Sequence, residues 1–168
     1  MVTVSEVGLA DIDNRRIANV LFNIATILDL AEDNIYRVRA YQRAARRILA
    51  LREDAAVIVA RGEELPLAGV GKRVRTKLAE LITSGRLAFY EDLLADQPAH
   101  VRALMAVEGI GPKTAQRLDA GLGVRTVGDL IVAAERQQVQ TLFGFGEVRE
   151  ASLAQAARAV AGRLAHVA

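Results

Sequence analysis

The sequence predicts an all-α fold, and three observations carry that expectation. Apolar residues recur at helical spacing, no stretch alternates with the strand period of two, and a Gly–apolar–Gly unit punctuates the chain three times in one register. The 168 residues suffice for one domain with a real core or for two small helical domains. A hydrophobic fraction of 52% with 25% charged residues excludes a disordered chain. No apolar run approaches the roughly 18 residues of a membrane span. With no cysteine and only His100 and His166, disulfides, thiolate sites and a zinc enzyme have almost nothing to build from. Residues Met1 to Asp13 lack the basic start, apolar centre and small-residue cleavage site of a secretion signal, so the expectation is a cytoplasmic protein without membrane contact.

The first helix is expected behind the candidate caps Asp11 and Asp13, with Ile17, Val20, Leu21, Ile24, Ile27, Leu28 and Ala31 on one face. A second, from about Tyr36 to Leu51, puts Val38, Tyr41, Ala45, Ile48 and Leu49 on its apolar side. At 100° per residue, Arg39, Arg43, Arg46 and Arg47 fall on the opposite arc. Asp54 to Ala60 reads as a short third helix closed by Arg61-Gly62.

The repeats follow. Leu67-Ala68-Gly69-Val70-Gly71, Val107-Glu108-Gly109-Ile110-Gly111 and Leu142-Phe143-Gly144-Phe145-Gly146 are each followed by a leucine nine places after the first Gly: Leu78, Leu118 and Leu153. Two glycines around one apolar residue permit a tight reversal between helices, because Gly tolerates positive φ and lets another backbone come close. The middle apolar residue points inward. A helix begins after each second Gly, so its free N–H groups and positive dipole end suit a phosphate oxygen. Pro112 fits a first helical turn.

Charge is segregated although the net is only +2. Residues 34–52 carry six arginines and no acid, and residues 72–86 carry five basic groups against Glu80. All three lysines, Lys72, Lys77 and Lys113, lie in or just behind the first two reversals, near Arg73, Arg75 and Arg117. With 4% aromatic residues and no Trp, a base-stacking platform is poorly supplied, so nucleic-acid contact should run through phosphates. The third repeat is the weakest binder, because Glu147 follows its glycines, Val148 stands where the others carry Arg73 and Lys113, and only Arg149 substitutes.

These repeats are helix-hairpin-helix elements, and their setting resembles the N-terminal part of family-X DNA polymerases, the polymerase beta-like group. The resemblance rests on Tyr36-Arg37-Val38-Arg39-Ala40-Tyr41-Gln42-Arg43-Ala44-Ala45, on Leu67 to Leu87, on Val107 to Lys113 and on Phe143-Gly144-Phe145-Gly146-Glu147. It implies a small helical lyase-like domain with one hairpin over residues 1–96 and a tandem helix-hairpin-helix domain over 97–168. Neither the Gly-Ser pair and strand aspartates of a palm nor the clustered histidines of a phosphoesterase follow.

The resemblance further implies that hairpin amides of Gly69, Gly71, Arg73 and Val74, and of Gly109, Gly111, Lys113 and Thr114, hold phosphates. Arg37, Tyr41 and Arg73 map to a pocket for a 5′-phosphate at a gap, with Tyr36 placed to stack on a base. No cofactor is required, but a sodium or potassium ion is implied at the carbonyls of Leu65, Leu67 and Val70 and of Met105, Val107 and Ile110. Ala68 departs from the proline usual before the first Gly, which suggests a looser hairpin.

One candidate for chemistry remains. The family's Schiff-base lysine maps to Lys77, at the edge of the apolar face formed by Val74, Leu78, Leu81 and Ile82. An edge lysine can equally lay its stem over apolar side chains and point at solvent or a phosphate. As a nucleophile it needs a neutral amine, which partial burial beside Arg73 favours and Glu80 opposes, while Glu80 is placed for proton transfer. Three functions are therefore open. The leading one is non-sequence-specific binding of gapped, nicked or distorted DNA in repair, with Arg37, Arg39, Arg43 and Arg46 on phosphates. The others are a 5′-deoxyribose-phosphate lyase and an interaction module for a repair protein or a separately encoded polymerase.

Overall fold

The computed structural model describes residues 12–167, and among them helices are joined by turns without a strand. The chain forms two compact units, Met1–Ala95 and Asp96–Ala168.

In the first unit, α1 (Asn14–Leu30) opens where the Asp13 carboxylate accepts from the Arg16 N–H at 2.7 Å. Asp11, the other expected cap, lies outside the described residues. Helix α2 (Ile35–Leu49) starts one residue before the expected point, because the Asn34 side chain accepts from the Tyr36 N–H at 2.8 Å and caps it there. Val38, Tyr41, Ala45 and Ile48 are buried, but Leu49, the last residue of α2, is half exposed, because a wheel gives the direction of a side chain and not whether anything packs on it at the helix end.

Asp54 precedes α3 (Ala55–Ala60) without capping it through its side chain. The cap comes from across the fold instead: Asn14 Oδ1 accepts from the Ala55 N–H at 2.8 Å, and Asn14 Nδ2 donates to the Glu53 carbonyl at 3.0 Å. Helix α4 (Lys72–Ser84) buries Val74, Leu78, Leu81 and Ile82 as its wheel predicts, and α5 (Ala88–Ala95) follows. Together Ile17, Leu21, Ile24, Val38, Ile48, Leu67, Leu78, Ile82 and Leu87 make one continuous core.

The second unit holds α6 (Ala99–Met105), α7 (Pro112–Leu122), α8 (Val127–Glu135), a single 3-10 turn (Val139–Thr141) and α9 (Glu147–Val167). Pro112 occupies the first turn of α7. A reciprocal capping box joins Thr126 and Asp129 at the start of α8. Val101, Leu104, Val107, Leu118, Leu130, Val139, Leu153 and Ala157 form the second core.

The repeat leucines Leu78, Leu118 and Leu153 are all buried, as are the middle residues Val70, Ile110 and Phe145. The register read from sequence is therefore the register of the cores. Each reversal is anchored by one side chain below the turn and one on the helix that follows.

Candidate nucleic-acid interface

The two glycines of each reversal do different jobs. The first takes a left-handed conformation in all three, with φ of +74° at Gly69, +88° at Gly109 and +78° at Gly144, which an L side chain resists by about 1–2 kcal/mol. The second does not. Gly71 and Gly111 sit at φ −71° and −96° with extended ψ, a conformation open to any residue, and each is the N-cap of the helix that follows. The expectation that both glycines serve positive φ is thus corrected to the first alone.

A side chain at Gly71 would meet nothing of the protein within 4 Å. Neither backbone conformation nor internal packing explains glycine there, whereas close approach by something from outside does. The Lys72 and Arg73 N–H groups lie in the first turn of α4, where no carbonyl one turn earlier receives them. Gly69, Gly71, Lys72 and Arg73 are exposed around this corner. In the second unit Gly109 and Lys113 are exposed and Gly111 and Thr114 partly so, with Lys113 and Thr114 in the first turn of α7.

One α2 arginine, Arg43, reaches the first corner. Arg43 Nη1 donates to the Gly69 carbonyl at 3.1 Å, and Arg39, Gln42, Arg43, Arg46 and Arg47 line an open groove of about 530 Å³ along the outer face of α2. Arg37 is held otherwise. Its guanidinium pairs with Asp33 at 2.6 Å, one turn back, an exposed ion pair that a phosphate can displace at little cost.

A second cleft, of about 860 Å³, gathers Tyr36, Arg37, Tyr41, Gly71, Arg73, Lys77 and Glu80. Four residues mapped from the resemblance, Arg37, Tyr41, Arg73 and Lys77, thus share one wall of the first unit, and Tyr36 stands 76% exposed beside them. Tyr41 is a core residue, 4% exposed. Burial pushes its phenol pKa up, with Arg37 pulling the other way.

Phe89, from α5, organises this wall and was missed in the sequence. Its ring stacks on Tyr41 with centroids 6.1 Å apart, and Lys77 Nζ lies 4.4 Å from its centroid. The available signal was an aromatic residue just after Leu87 at a helix start, too weak to place it beside Lys77. Glu80 also has an unforeseen task, because its Oε1 accepts from the Ala88 N–H at 2.8 Å and so supplies the cap of α5.

The hairpin carbonyls differ sharply between units. In the first, Arg75 reaches all three oxygens: Nη1 donates to Leu65 at 3.0 Å, Nη2 to Leu67 at 2.6 Å and Nε to Val70 at 3.0 Å. In the second, Ala115 stands at the corresponding position, and among the described residues no side chain donates to the carbonyls of Met105, Val107 or Ile110.

At the third hairpin the cations turn inward. Arg149 lies 4.4 Å from the Phe145 ring centroid and donates to the Gly144 carbonyl and to Thr114 Oγ1, at 3.3 and 3.4 Å. Arg117 packs on the same ring and donates to the Phe143 carbonyl. Both arginines therefore tie the second and third hairpins together. The exposed tip carries Phe143 and Val148, at 94% and 85%.

Comparison with known proteins agrees with this geometry. Residues 12–87 match the helix-hairpin-helix domain model, and residues 101–159 match the SAM-like helix-hairpin-helix tandem. The DNA polymerase/3′-5′ exonuclease PolX of Bacillus subtilis (strain 168) is 32% identical over 140 residues, which is 83% of this chain and 24% of that relative. The chain thus spans about a quarter of the relative's length. Helix-hairpin-helix domains indicate DNA binding, and no helix among the described residues is long and apolar enough to cross a membrane. The same reversal organises both cores, and the chain carries helix-hairpin-helix domains in tandem and is similar over most of its length to part of a PolX-type DNA polymerase.

Proposed function

We propose that this chain binds DNA without regard to sequence, holding phosphates at the first two hairpins and along the α2 arginines, with a preference for gapped, nicked or distorted duplex in repair. The observation that carries the reading is the corner at Gly71. A glycine that neither φ nor packing requires stands beside open first-turn amides and is flanked by Lys72, Arg73 and Arg43. Backbone amides, a helix dipole and side-chain cations then act on the same anionic oxygen.

Neutralising four to six phosphates gives a slope of log affinity against log salt of about −4 or steeper on duplex DNA. A salt-insensitive complex would remove phosphate contact as the source of affinity. Tyr36, Arg37, Tyr41 and Arg73 around one cleft support a seat for a terminal phosphate. A one-nucleotide gap ending in a 5′-phosphate should accordingly bind about tenfold tighter than the same gap ending in a hydroxyl, the scale of one charge-assisted contact. Equal binding would count against the gap preference while leaving the salt test standing.

A second reading rests on Lys77 lying in the same cleft. Its amine would condense with the C1′ aldehyde of an opened 5′-deoxyribose phosphate and expel water. The resulting imine would acidify a C2′ proton, whose removal breaks the C3′–O bond. Glu80 is beside the cleft but has one oxygen committed to α5. Borohydride should trap the imine on incised abasic DNA, and Lys77→Ala should abolish the adduct. An adduct that survives this substitution would take the nucleophile role from Lys77.

The absence of a side-chain donor on the carbonyls of Met105, Val107 and Ile110 among the described residues, with the small Ala115 behind them, supports a monovalent cation at the second hairpin. When bound there, such an ion supplies positive charge beneath the phosphate-facing turn.

A further inference from the structure

We infer that Arg75 is the resident cation of the first hairpin, so that sodium or potassium does not enter there. The three carbonyls of Leu65, Leu67 and Val70 converge on one guanidinium, each meeting a different nitrogen at 2.6–3.0 Å. The same group also meets Glu64 Oε1 at 3.3 Å. A planar fork with five donors satisfies three converging carbonyl dipoles as an ion would, and with the same single charge. It occupies the space between them, and being tethered it cannot diffuse away.

The internal repeats supply the control. Position four after the second Gly is Arg75 in the first hairpin, Ala115 in the second and Glu150 in the third. All three reversals share the closing bond from the middle apolar residue back to the first: Val70 N–H to Leu67 O at 3.2 Å, Ile110 to Val107 at 3.1 Å and Phe145 to Leu142 at 2.9 Å. The backbone is therefore alike, and the side chain at this one position differs. Glu150, only 6% exposed, takes the opposite polarity and accepts from the Gln140 N–H at 2.9 Å. One register position thus sets what meets the inside of each turn: a guanidinium on three carbonyls, an alanine that donates to none, or a carboxylate on an amide.

Part of the consequence rests on the DNA-binding reading. The positive charge beneath the Gly71 corner is then permanent, and phosphate capture by the first hairpin does not depend on which alkali cation is in solution. The occupancy itself does not rest on that reading, so its test uses no DNA.

Crystals of the full chain grown with thallium(I) acetate should show no anomalous peak among the Leu65, Leu67 and Val70 carbonyls, whereas crystals of Arg75→Ala should show one. A peak there in the unsubstituted protein, with Arg75 displaced, would overturn the inference. A site empty in both proteins would overturn it too, because the carbonyls would then be no cation site for an arginine to fill. Thermal unfolding gives a second measurement. Exchanging tetramethylammonium for potassium at equal ionic strength should raise the Tm of Arg75→Ala by roughly 5 °C more than that of the unsubstituted chain. Equal responses would contradict the exchange of one cation for another.

Discussion

Replacing Gly71 with Ser should move stability and DNA binding in opposite directions. Gly71 is the N-cap of α4 at φ −71° and ψ 160°, makes no side-chain cap bond, and has no neighbour within 4 Å of where a Cβ would stand. Serine adopts this conformation freely. Its hydroxyl can accept from the Arg73 or Val74 N–H, gaining a few tenths of a kcal/mol over glycine as a cap. Reduced freedom of the unfolded chain adds about 0.4–1 kcal/mol. The total, about 0.7–1.3 kcal/mol, raises the Tm by roughly 3–10 °C for a unit of this size.

The same hydroxyl takes the amide a phosphate would use, and the added Cβ stands where the backbone must approach. Losing one hydrogen bond to a charged group costs about 1.5–3 kcal/mol, a weakening of roughly ten- to a hundredfold. Urea unfolding followed by circular dichroism reads the first effect, and fluorescence anisotropy on labelled gapped duplex reads the second. A variant that is more stable and binds DNA as before would refute the claim that this glycine is kept for an approaching phosphate.

Other outcomes follow from the same geometry. Asp33→Asn frees Arg37 from its 2.6 Å ion pair and should tighten DNA binding about two- to fivefold at low salt, as anisotropy titration would show, with the gain fading as salt rises. Lys113→Glu should weaken DNA binding at least tenfold, whereas Val148→Glu at the matching position of the third hairpin should leave it within about twofold, because the arginines there face the Phe145 ring. Arg125, at 2.7 Å, holds the Asp119 carboxyl below its ordinary pKa, with His100 adding to the effect. A lowered folded-state pKa stabilises above the unfolded value and is lost as pH falls through the folded one. The Tm advantage over Asp119→Asn should therefore be full at neutral pH and shrink below the ordinary value of 3.8.

Much of the molecule was legible because its signals are local. Helical spacing placed the buried face of α4 residue by residue and that of α1 at Ile17, Leu21, Ile24, Ile27 and Leu28, while Val20 is only partly buried and Ala31, expected on the same face, is exposed just past the helix end. The Gly–apolar–Gly register named the buried leucines Leu78, Leu118 and Leu153. The error at Leu49 is of another kind, since a wheel gives its direction but not whether another segment covers the last residue of the helix. The candidate residues Arg37, Tyr41, Arg73 and Lys77 were named through a resemblance, and the fold brings them to one cleft.

What the sequence alone determined is the first three helices, the helix after each Gly–apolar–Gly turn and most of the inward faces of α1, α2 and α4, because backbone preference and burial period act over a few residues; the short helices α5, α6 and α8 carried no such signal. Only the tertiary structure decided where the long side chains end. Arg75 closes on three carbonyls, Glu80 caps α5, Arg117 and Arg149 fold onto Phe145, and Phe89 meets Lys77. A helical wheel gives the direction in which an arginine or glutamate leaves its helix. Its final partner depends on which distant segment packing carries within reach of its last atoms.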